Sequence, residues 1–184
     1  MRFRANADAA LDDVDTRILG LLQEDCRTPL ARLGDDVGLS APAVLERIKK
    51  LEAAGVITGY HAVLDGRRLG LDVTAFIGVI TSDPDSIGHF EREVTALENV
   101  LECHHVTGEY TFLLKVKTAN TSTLERLISQ IRSIEGVART ETTVVLSTHI
   151  ERVQLGLSAD APTPPTATRR SRRSNDGNGQ LRRA

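Results

Sequence analysis

The chain has 184 residues, of which 40% are hydrophobic and 26% charged, a balance that fits globular domains, and its formal net charge is −2. A chain of this length can form one or two domains of modest size, together with terminal tails. No apolar run reaches the length of a membrane span, and no charged-then-apolar secretory leader opens the chain. We therefore expect a cytoplasmic protein that has no membrane partner.

The first predicted helix follows an irregular start. Residues 1–10 lack periodicity and are predicted to be frayed. Asp12 is a suitable N-cap, with Asp15 three residues later, in the pattern of a capping box. One face of the helix that follows is predicted to carry the apolar residues Val14, Ile18, Leu21 and Leu22.

Residues 28–52 are predicted to form two short helices joined by a tight turn. Thr28 is a good N-cap, and Pro29 suits the first helical position, where its missing N–H costs nothing. Gly38 suits the end of the first helix, and Ser40 can cap the second. A helix, a glycine-containing turn and a second helix are typical of the DNA-binding helix-turn-helix.

The second helix of this pair is amphipathic. At 100° per residue, Val44, Ile48 and Leu51 point into the core and leave the opposite face to solvent. Taken alone, this pattern also fits an ordinary surface helix with a solvated charged face. The capped helix and glycine turn before it favour a recognition helix, and we predict a helix-turn-helix or winged-helix-like domain over residues 11–55.

The exposed face carries residue types that read DNA. Lys49 can donate to guanine, Glu46 can accept from cytosine N4, and Leu45 can touch a thymine methyl. On the flank, Arg47 fits a phosphate contact better, and Arg27 can hold another phosphate at a helix N-terminus. The predicted double-stranded DNA-binding surface consists of Arg27, Thr28, Ser40, Ala41, Pro42, Leu45, Glu46, Arg47, Lys49 and Lys50.

A linker is predicted to follow the helix-turn-helix. The β-rich run over residues 56–64 is predicted to form a strand, and a polar stretch, Asp-Gly-Arg-Arg, comes directly after it. Residues 56–71 are therefore predicted to be a strand and hinge that end the first domain.

Residues 72–151 have the pattern of a second domain. Strands and helices alternate in the order strand, helix, strand, strand, helix, strand, which predicts an α+β chain whose second domain is a ferredoxin-like βαββαβ αβ-sandwich. Asn120 or Thr121 caps its second helix and Gly136 ends it. The predicted strands are Val73–Thr81, 100–106, 110–118 and 139–148, and the predicted helices are 87–97 and 121–134.

Two helices can cover only one face of such a sheet. The last strand places Thr142, Val144 and Leu146 on one face, with Thr143 and Val145 on the other. Apolar groups on both faces indicate that a partner covers the helix-free side. We therefore predict that the chain forms a homodimer through this domain.

Few other residues are candidates for metal binding, disulfide formation or catalysis. Cys26 and Cys103 lie far apart without CxxC spacing, so we expect neither a disulfide nor a metal site. The adjacent His104 and His105 would point to opposite faces of a strand and make a poor metal pair. We find no phosphate loop, metal-ligand cluster or nucleophile motif, and we predict neither an enzyme nor a cofactor site.

Domains of the kind predicted for residues 72–151 also serve two other functions. Ferredoxin-like domains also serve as regulatory modules of amino-acid metabolism without direct DNA readout, and this stays the alternative. RNA binding by the sheet would require exposed stacking aromatics. Tyr110 and Phe112 alone are too few for that pattern.

Three segments resemble the Lrp/AsnC family, the feast/famine transcriptional regulators. They are LDDVDTRILGLLQEDCR at 11–27, LGLSAPAVLERIKKLEAAGVITGYHAVLD at about 37–65, and VTGEYTFLLKV at 106–116. The resemblance implies a helix-turn-helix domain joined by a strand linker to an αβ-sandwich effector domain. It also implies dimers that commonly assemble into octamers, and control by a small-molecule effector, usually an amino acid.

The resemblance also implies where an effector would bind. The family's hairpin usually reads Gly-Asp-Tyr-Asp, and here it is Gly108, Glu109, Tyr110 and Thr111. A carboxylate at the last position could pair with an α-ammonium group, whereas the threonine hydroxyl offers a neutral hydrogen bond. Gly108 is also the turn glycine of a hairpin, whatever its ligand role.

The charge is unevenly distributed. Residues 158–184 contain six arginines and two aspartates, and the rest of the chain has a net charge of −6. An acidic body means that DNA must be attracted by local basic clusters. Residues 152–184, rich in Pro, Ser and Arg, are predicted to form a disordered tail whose arginines either contact phosphates or are simply solvated.

Overall fold

The computed structural model describes residues 11–157. The chain divides into two compact units, and residues 62–152 form the second of them. The first unit combines the N-terminal part of the chain, up to His61, with the segment that begins at Val153. The predicted frayed start, 1–10, and most of the predicted tail, from 158 onward, lie outside the described residues.

The first unit contains three helices, α1 (Asp13–Glu24), α2 (Leu30–Val37) and α3 (Ala41–Ala53). Asp12 caps α1 in a capping box with Asp15, as predicted. Gly38 ends α2 with a left-handed φ of 71°, which glycine adopts without steric cost. The core of the unit consists of the buried side chains Ile18, Leu33, Val44 and Ile48.

Two predicted features of this unit differ in the structure. Pro29, not Thr28, occupies the N-cap of α2, and the Thr28 hydroxyl donates to the Asp25 carbonyl oxygen at 2.9 Å. Ser40 is the N-cap of α3, but its side chain makes no capping hydrogen bond. The Thr28 hydroxyl therefore closes the turn between α1 and α2 and does not cap α2.

The predicted strand over residues 56–64 is absent from the described part of the chain, and so is any wing of paired strands beside α3. A strand requires a neighbour to satisfy its backbone groups, and the described residues offer this segment none. Val63 and Leu64 are accordingly 86% and 68% exposed.

A short segment after the sheet domain belongs to the first unit. The Leu155 N–H donates to Gln23 Oε1 at 2.7 Å, and Gln23 Nε2 donates to the Leu155 carbonyl oxygen at 3.2 Å. The Gln154 side chain adds a 2.9 Å hydrogen bond to the Gln23 carbonyl oxygen. Residues 153–157 thus pack on α1, although the sequence places them in the tail.

The second unit is an antiparallel four-stranded sheet with two helices. The strands are β1 (Val73–Thr81), β2 (Val100–His105), β3 (Phe112–Thr118) and β4 (Val137–Val144), in the order β2-β3-β1-β4. The helices are α4 (Ile87–Thr95) and α5 (Thr121–Arg132), and short 3₁₀ turns occupy Arg67–Leu69 and Pro84–Ser86. This order confirms the predicted ferredoxin-like split βαβ arrangement.

The helices cover one face of this sheet. The buried cluster between them contains Ala75, Ile77 and Val79 of β1 together with residues of β3 and both helices. Asn120 caps α5, as predicted, and its side chain accepts from the Thr123 N–H at 2.9 Å. Both helices end two residues earlier than the sequence pattern indicates.

Candidate functional site: the recognition helix and the effector hairpin

Helix α3 has one face of exposed side chains, and its opposite face is packed in the core. Val44, Ile48 and Leu51 are 0%, 7% and 3% exposed and anchor the helix in the core, as predicted. Leu45 is 37% exposed, and the opposite face also carries Pro42, Glu46, Lys49 and Lys50, all exposed, whereas Ala41 is half-buried.

Two predicted DNA-reading side chains form an ion pair with each other. Lys49 Nζ lies 3.0 Å from Glu46 Oε1, one turn away on the same helix, and both side chains are more than half exposed. Such a pair contributes little stability and is easily exchanged for other partners. The Lys49 ammonium and the Glu46 carboxylate therefore both lie at the exposed face, where each can exchange the other for a different partner.

Arg27 lies in the turn between α1 and α2. Its Nε is 3.2 Å from Asp25 Oδ1, and its backbone N–H donates to the same oxygen at 2.9 Å. These hydrogen bonds from Arg27 lower the pKa of the Asp25 carboxyl, and the carboxylate in turn raises the pKa of Arg27. Arg27 remains 87% exposed, so a phosphate can still approach it.

Arg47 has a more enclosed position than the sequence indicates. Its Nη1 lies 2.7 Å from Asp12 Oδ2 and 2.7 Å from Asp15 Oδ1, at the first turn of α1. Sequence reasoning located Asp12 and Asp15 as caps but missed this pairing, because nothing in the local pattern links positions 32 and 35 residues apart.

The linker is fixed where it leaves the recognition helix. Tyr60 Oη donates to Glu52 Oε1 at 2.9 Å. Partial burial, together with this hydrogen bond to a carboxylate, raises the pKa of Tyr60 to about 12. The phenol therefore stays protonated and keeps its role as donor at neutral pH.

The four predicted effector residues lie together in the connection between β2 and β3. Gly108 has a φ of 118°, and a Cβ placed there would meet no atom within 4 Å. It is therefore required for its backbone conformation. Glu109 is exposed, so two of the four predicted residues face open space.

Tyr110 and Thr111 are already engaged with the sheet. The Tyr110 ring lies over Gly78, where an added Cβ would come within 2.6 Å of the ring. Partial burial, then the nearby carboxylates of Glu141 and Glu109, raises the pKa of Tyr110.

The Thr111 hydroxyl lies between the two central strands. Its Oγ1 accepts from the Thr81 N–H at 3.2 Å and lies 3.3 Å from Thr81 Oγ1. Sequence reasoning missed Gly78 and Thr81, although an isolated glycine inside a strand is a known sign of close approach.

The described residues contain no group of three or more His, Cys, Asp or Glu that could hold a metal ion. His104 lies 3.2 Å from Glu102, whereas the His105 ring lies 5.1 Å from that of Phe112, so the two imidazoles point apart as predicted. Cys26 and Cys103 are free thiols. None of the helices between residues 11 and 157 is long and apolar enough to cross a membrane.

A helix-turn-helix with an exposed, partly basic second helix, followed by a separate α+β domain, defines a DNA-binding transcriptional regulator. Family models agree with this class. The model described as the AsnC-type helix-turn-helix domain matches residues 11–52, and the Lrp/AsnC ligand binding domain matches residues 74–155. The chain belongs to the Lrp/AsnC family, as its sequence motifs indicate.

Individual relatives support the same assignment. The HTH-type transcriptional regulator FL11 of Pyrococcus abyssi is 34% identical over 146 residues, which cover 79% of this chain and 96% of the relative. The structure of AsnC from E. coli matches with a TM-score of 0.74 and 32% identity, covering 78% of this chain and 97% of AsnC.

A transcriptional regulator from Neisseria meningitidis, solved as an L-Met complex, matches with a TM-score of 0.76 and 31% identity over 80% of this chain and 97% of its own. The family consists of transcriptional regulators and not of enzymes. The alternative of a metabolic module without DNA readout therefore loses its support.

Proposed function

We propose that this regulator reads DNA sequence through the exposed face of α3 and that an amino acid or related metabolite controls it. The observation that carries DNA reading is the geometry of α3, which buries Val44, Ile48 and Leu51 and exposes Leu45, Glu46 and Lys49. Helix α2 and the Gly38 turn precede α3, so it is not an isolated surface helix. Recognition helices read base edges from such a face.

The other predicted contacts surround this face. Thr28, Ser40, Ala41, Pro42 and Lys50 lie at the starts of α2 and α3 or on the same exposed side, and we propose that they contact the DNA backbone. Arg27 is proposed to hold a phosphate after exchanging its Asp25 partner.

Base reading can be tested by substitution on α3. We expect Lys49→Ala to reduce discrimination between a duplex enriched from a randomised pool and a scrambled duplex, by roughly 5- to 100-fold if Lys49 reads a guanine. The matched control is Lys50→Ala, which should weaken both duplexes equally. If the unsubstituted protein binds both duplexes with equal affinity at physiological salt, the proposal is wrong.

We further propose a homodimer formed through the helix-free face of the sheet. This face carries Phe76, which is 37% exposed, together with the half-buried Ile80 and Leu113. Leaving such apolar groups in water is unfavourable, and a second copy would cover them. A dimer would present two recognition helices to pseudo-palindromic half-sites about one helical turn, or a multiple of it, apart.

Light scattering of the full chain tests the dimer. We expect at least a dimer at micromolar concentration, and an octamer if dimers assemble further as the family resemblance implies. Phe76→Glu should shift the protein toward monomer, whereas Glu125→Gln on the outer side of α5 should not. A stable monomer of the unsubstituted chain would contradict the proposal.

The proposed effector site is the hairpin over residues 108–111. The L-Met complex of the Neisseria relative supports an amino acid as the ligand class. In this chain Glu109 can face an ammonium group, and the open turn at Gly108 leaves room for a carboxylate at the backbone. Tyr110 would form a wall, and Thr111 would act through its position beside Thr81.

Isothermal titration with L-methionine and the other common amino acids tests this site. We expect binding of at least one of them, weakened by Glu109→Gln and unaffected by Glu125→Gln. Thr111→Asp adds a carboxylate and should tighten zwitterion binding, at the cost of the hydrogen bond to Thr81. If no amino acid binds, the hairpin is structural and the proposal fails.

The mechanism we propose is a population shift. An effector that binds one assembly or domain arrangement more tightly favours that arrangement, and so changes the spacing of the recognition helices on DNA. Gel-shift titrations with and without the bound amino acid measure this coupling directly, since a ligand with equal affinity for both arrangements would leave DNA affinity unchanged.

A further inference from the structure

Arg47 connects the recognition helix to the start of α1. A single guanidinium nitrogen, Nη1, contacts Asp12 Oδ2 and Asp15 Oδ1, each at 2.7 Å. Those two aspartates are the capping box of α1, in which the Asp15 N–H donates to Asp12 Oδ1 at 2.7 Å. The centre of α3 is thereby tied to the capped first turn of the neighbouring helix.

The Arg47–Asp15 contact is more shielded from solvent than the other ion pairs that the described residues form in this unit, whereas the Asp12 side chain is 52% exposed. The Arg47 and Asp15 side chains are 31% and 16% exposed, whereas the two side chains of the Lys49–Glu46 pair are 57% and 65% exposed. Shielded pairs are screened less by salt and lose less to side-chain mobility. The hydrogen bonds to Asp15 and Asp12 also raise the pKa of Arg47.

The apolar anchors of α3 determine which face of the helix is buried. The contacts of Val44 and Ile48 with the core are themselves non-directional. Two short charge-assisted hydrogen bonds from the flank of the helix are directional. At 100° per residue, Arg47 lies about 100° from Glu46 and about 160° from Lys49 around the axis.

We propose that Arg47 is a positioning residue for DNA reading: by binding Asp12 and Asp15 it sets the rotation of α3, and it is not a phosphate contact. Both hydrogen bonds use Nη1, but the two carboxylates there already balance the charge of the guanidinium. A phosphate that approached its other N–H donors would also be repelled by these aspartates. This inference rests on DNA reading by α3.

The two roles of Arg47 predict opposite effects of neutralising its partners. If Arg47 contacts phosphate, Asp15→Asn releases the guanidinium and removes a negative charge, so affinity for every duplex rises. If Arg47 positions α3, Asp15→Asn loosens the helix and discrimination falls. Asp12→Asn should act in the same direction, and asparagine is as good an N-cap as aspartate, so α1 keeps its cap.

The experiment measures affinity for two duplexes over a range of salt concentrations. One duplex is enriched from a randomised pool by the unsubstituted protein, and the other is a scrambled sequence of the same composition. For Arg47→Ala, Asp12→Asn and Asp15→Asn we expect the ratio of the two affinities to fall about tenfold, with an unchanged salt slope. Lys50→Ala, an exposed cation on the same helix, should leave the ratio unchanged and reduce the slope.

Either of two results would overturn the inference. The first is a salt slope lower by about one with an unchanged ratio in Arg47→Ala, which is the signature of a phosphate contact. The second is tighter binding of both duplexes by Asp15→Asn. Circular dichroism at the binding temperature verifies that each variant is folded, and if Arg47→Ala unfolds, the two isosteric aspartate variants decide the question.

A separate result would remove the proposed function itself. If the unsubstituted protein does not discriminate between the duplexes, α3 does not read sequence, and the role of Arg47 falls with it. If it discriminates and the aspartate variants discriminate equally well, DNA reading stands and only the positioning role is wrong.

Discussion

The two units of the chain are stabilised in different ways. The sheet domain buries eleven side chains in one cluster between the sheet and its two helices. The corresponding cluster in the helix-turn-helix unit contains four, namely Ile18, Leu33, Val44 and Ile48. Small cores leave little margin of stability, so the smaller unit depends more on polar contacts such as the Asp12–Asp15 capping box and the Arg47 ion pairs.

The largest effect is expected when a buried side chain in the core of the smaller unit is shortened. Leu33→Ala removes part of a completely buried side chain and should lower the free energy of unfolding of that unit by about 2–5 kcal/mol. Leu114→Ala, at an equally buried position in the sheet, is the matched control. Hydrogen-exchange mass spectrometry should show lost protection across α1 to α3 only for Leu33→Ala. An equal loss of protection in both units would contradict the proposed difference in stability between them.

A smaller effect is expected where the sheet meets the effector hairpin. Gly78→Ala would place a Cβ within 2.6 Å of the Tyr110 ring and should cost about 1–3 kcal/mol of stability in the sheet domain. Thermal unfolding measures this change. In a Tyr110→Ala background the same substitution should be much less costly, and equal costs in the two backgrounds would show that the ring is not the obstacle.

The segment over residues 153–157 should be held to α1 by about 1 kcal/mol, because its hydrogen bonds to Gln23 are exposed to water. Gln23→Ala should therefore speed amide exchange at Leu155 several-fold. Gln154→Ala removes only the separate bond to the Gln23 carbonyl oxygen and should have less effect. Unchanged exchange at Leu155 in Gln23→Ala would contradict the packing.

The smallest effect concerns pH and the sheet domain. Lys115 contacts Glu102 at 3.2 Å and also pairs with Glu151. Hydrogen bonds from His104 and then Lys115 lower the pKa of Glu102, and Lys115 lowers that of Glu151, from an ordinary value of 4.5. A lowered carboxyl pKa stabilises the fold above the ordinary value, and this stabilisation is lost as the pH falls through the folded value.

The pKa of Lys115 is raised from 10.5 by the same partners, so its contribution persists at neutral pH and is lost only in strong alkali. We expect Glu151→Gln to lower the melting temperature slightly at about pH 7, and the difference should shrink as the pH falls below 4.5 and through the lowered folded pKa of Glu151. The melting temperature across this range is the measurement. A difference that does not shrink toward low pH would contradict the role of the ion pair.

Local patterns in the sequence determined most of the fold. The caps Asp12 and Asn120, the glycine after α2 and the apolar stripes of α3 and α5 each depend on residues within a few positions of one another. The same is true of the order of strands and helices in the sheet domain. Family motifs, which are also local runs, predicted the class of protein, and the proposed effector site at residues 108–111 rests on them as well.

Other predictions depended on neighbours that local patterns do not specify. The 56–64 run has strand-forming residues, yet a strand needs a ladder partner, and the described residues supply none. The ends of some helices and strands lie up to four residues from their predicted positions, for a related reason. Residues 145–148 belong to the predicted strand, but the last residue of β4 paired with β1 is Val144, opposite Ala75, and of these four residues only Val145 still bonds to β1, its N–H donating to the Thr74 carbonyl oxygen at 2.9 Å.

The candidate sites were decided partly by the sequence and partly by packing. The sequence itself predicted which face of α3 is exposed, because a period of 3.6 residues separates the buried side from the exposed one. Only the tertiary structure paired Arg47 with Asp12 and Asp15, and joined Thr111 to Thr81. These contacts link residues 30 to 35 positions apart. Such pairs are brought together by the packing of whole helices and strands, so their partners cannot be read from the residues beside them.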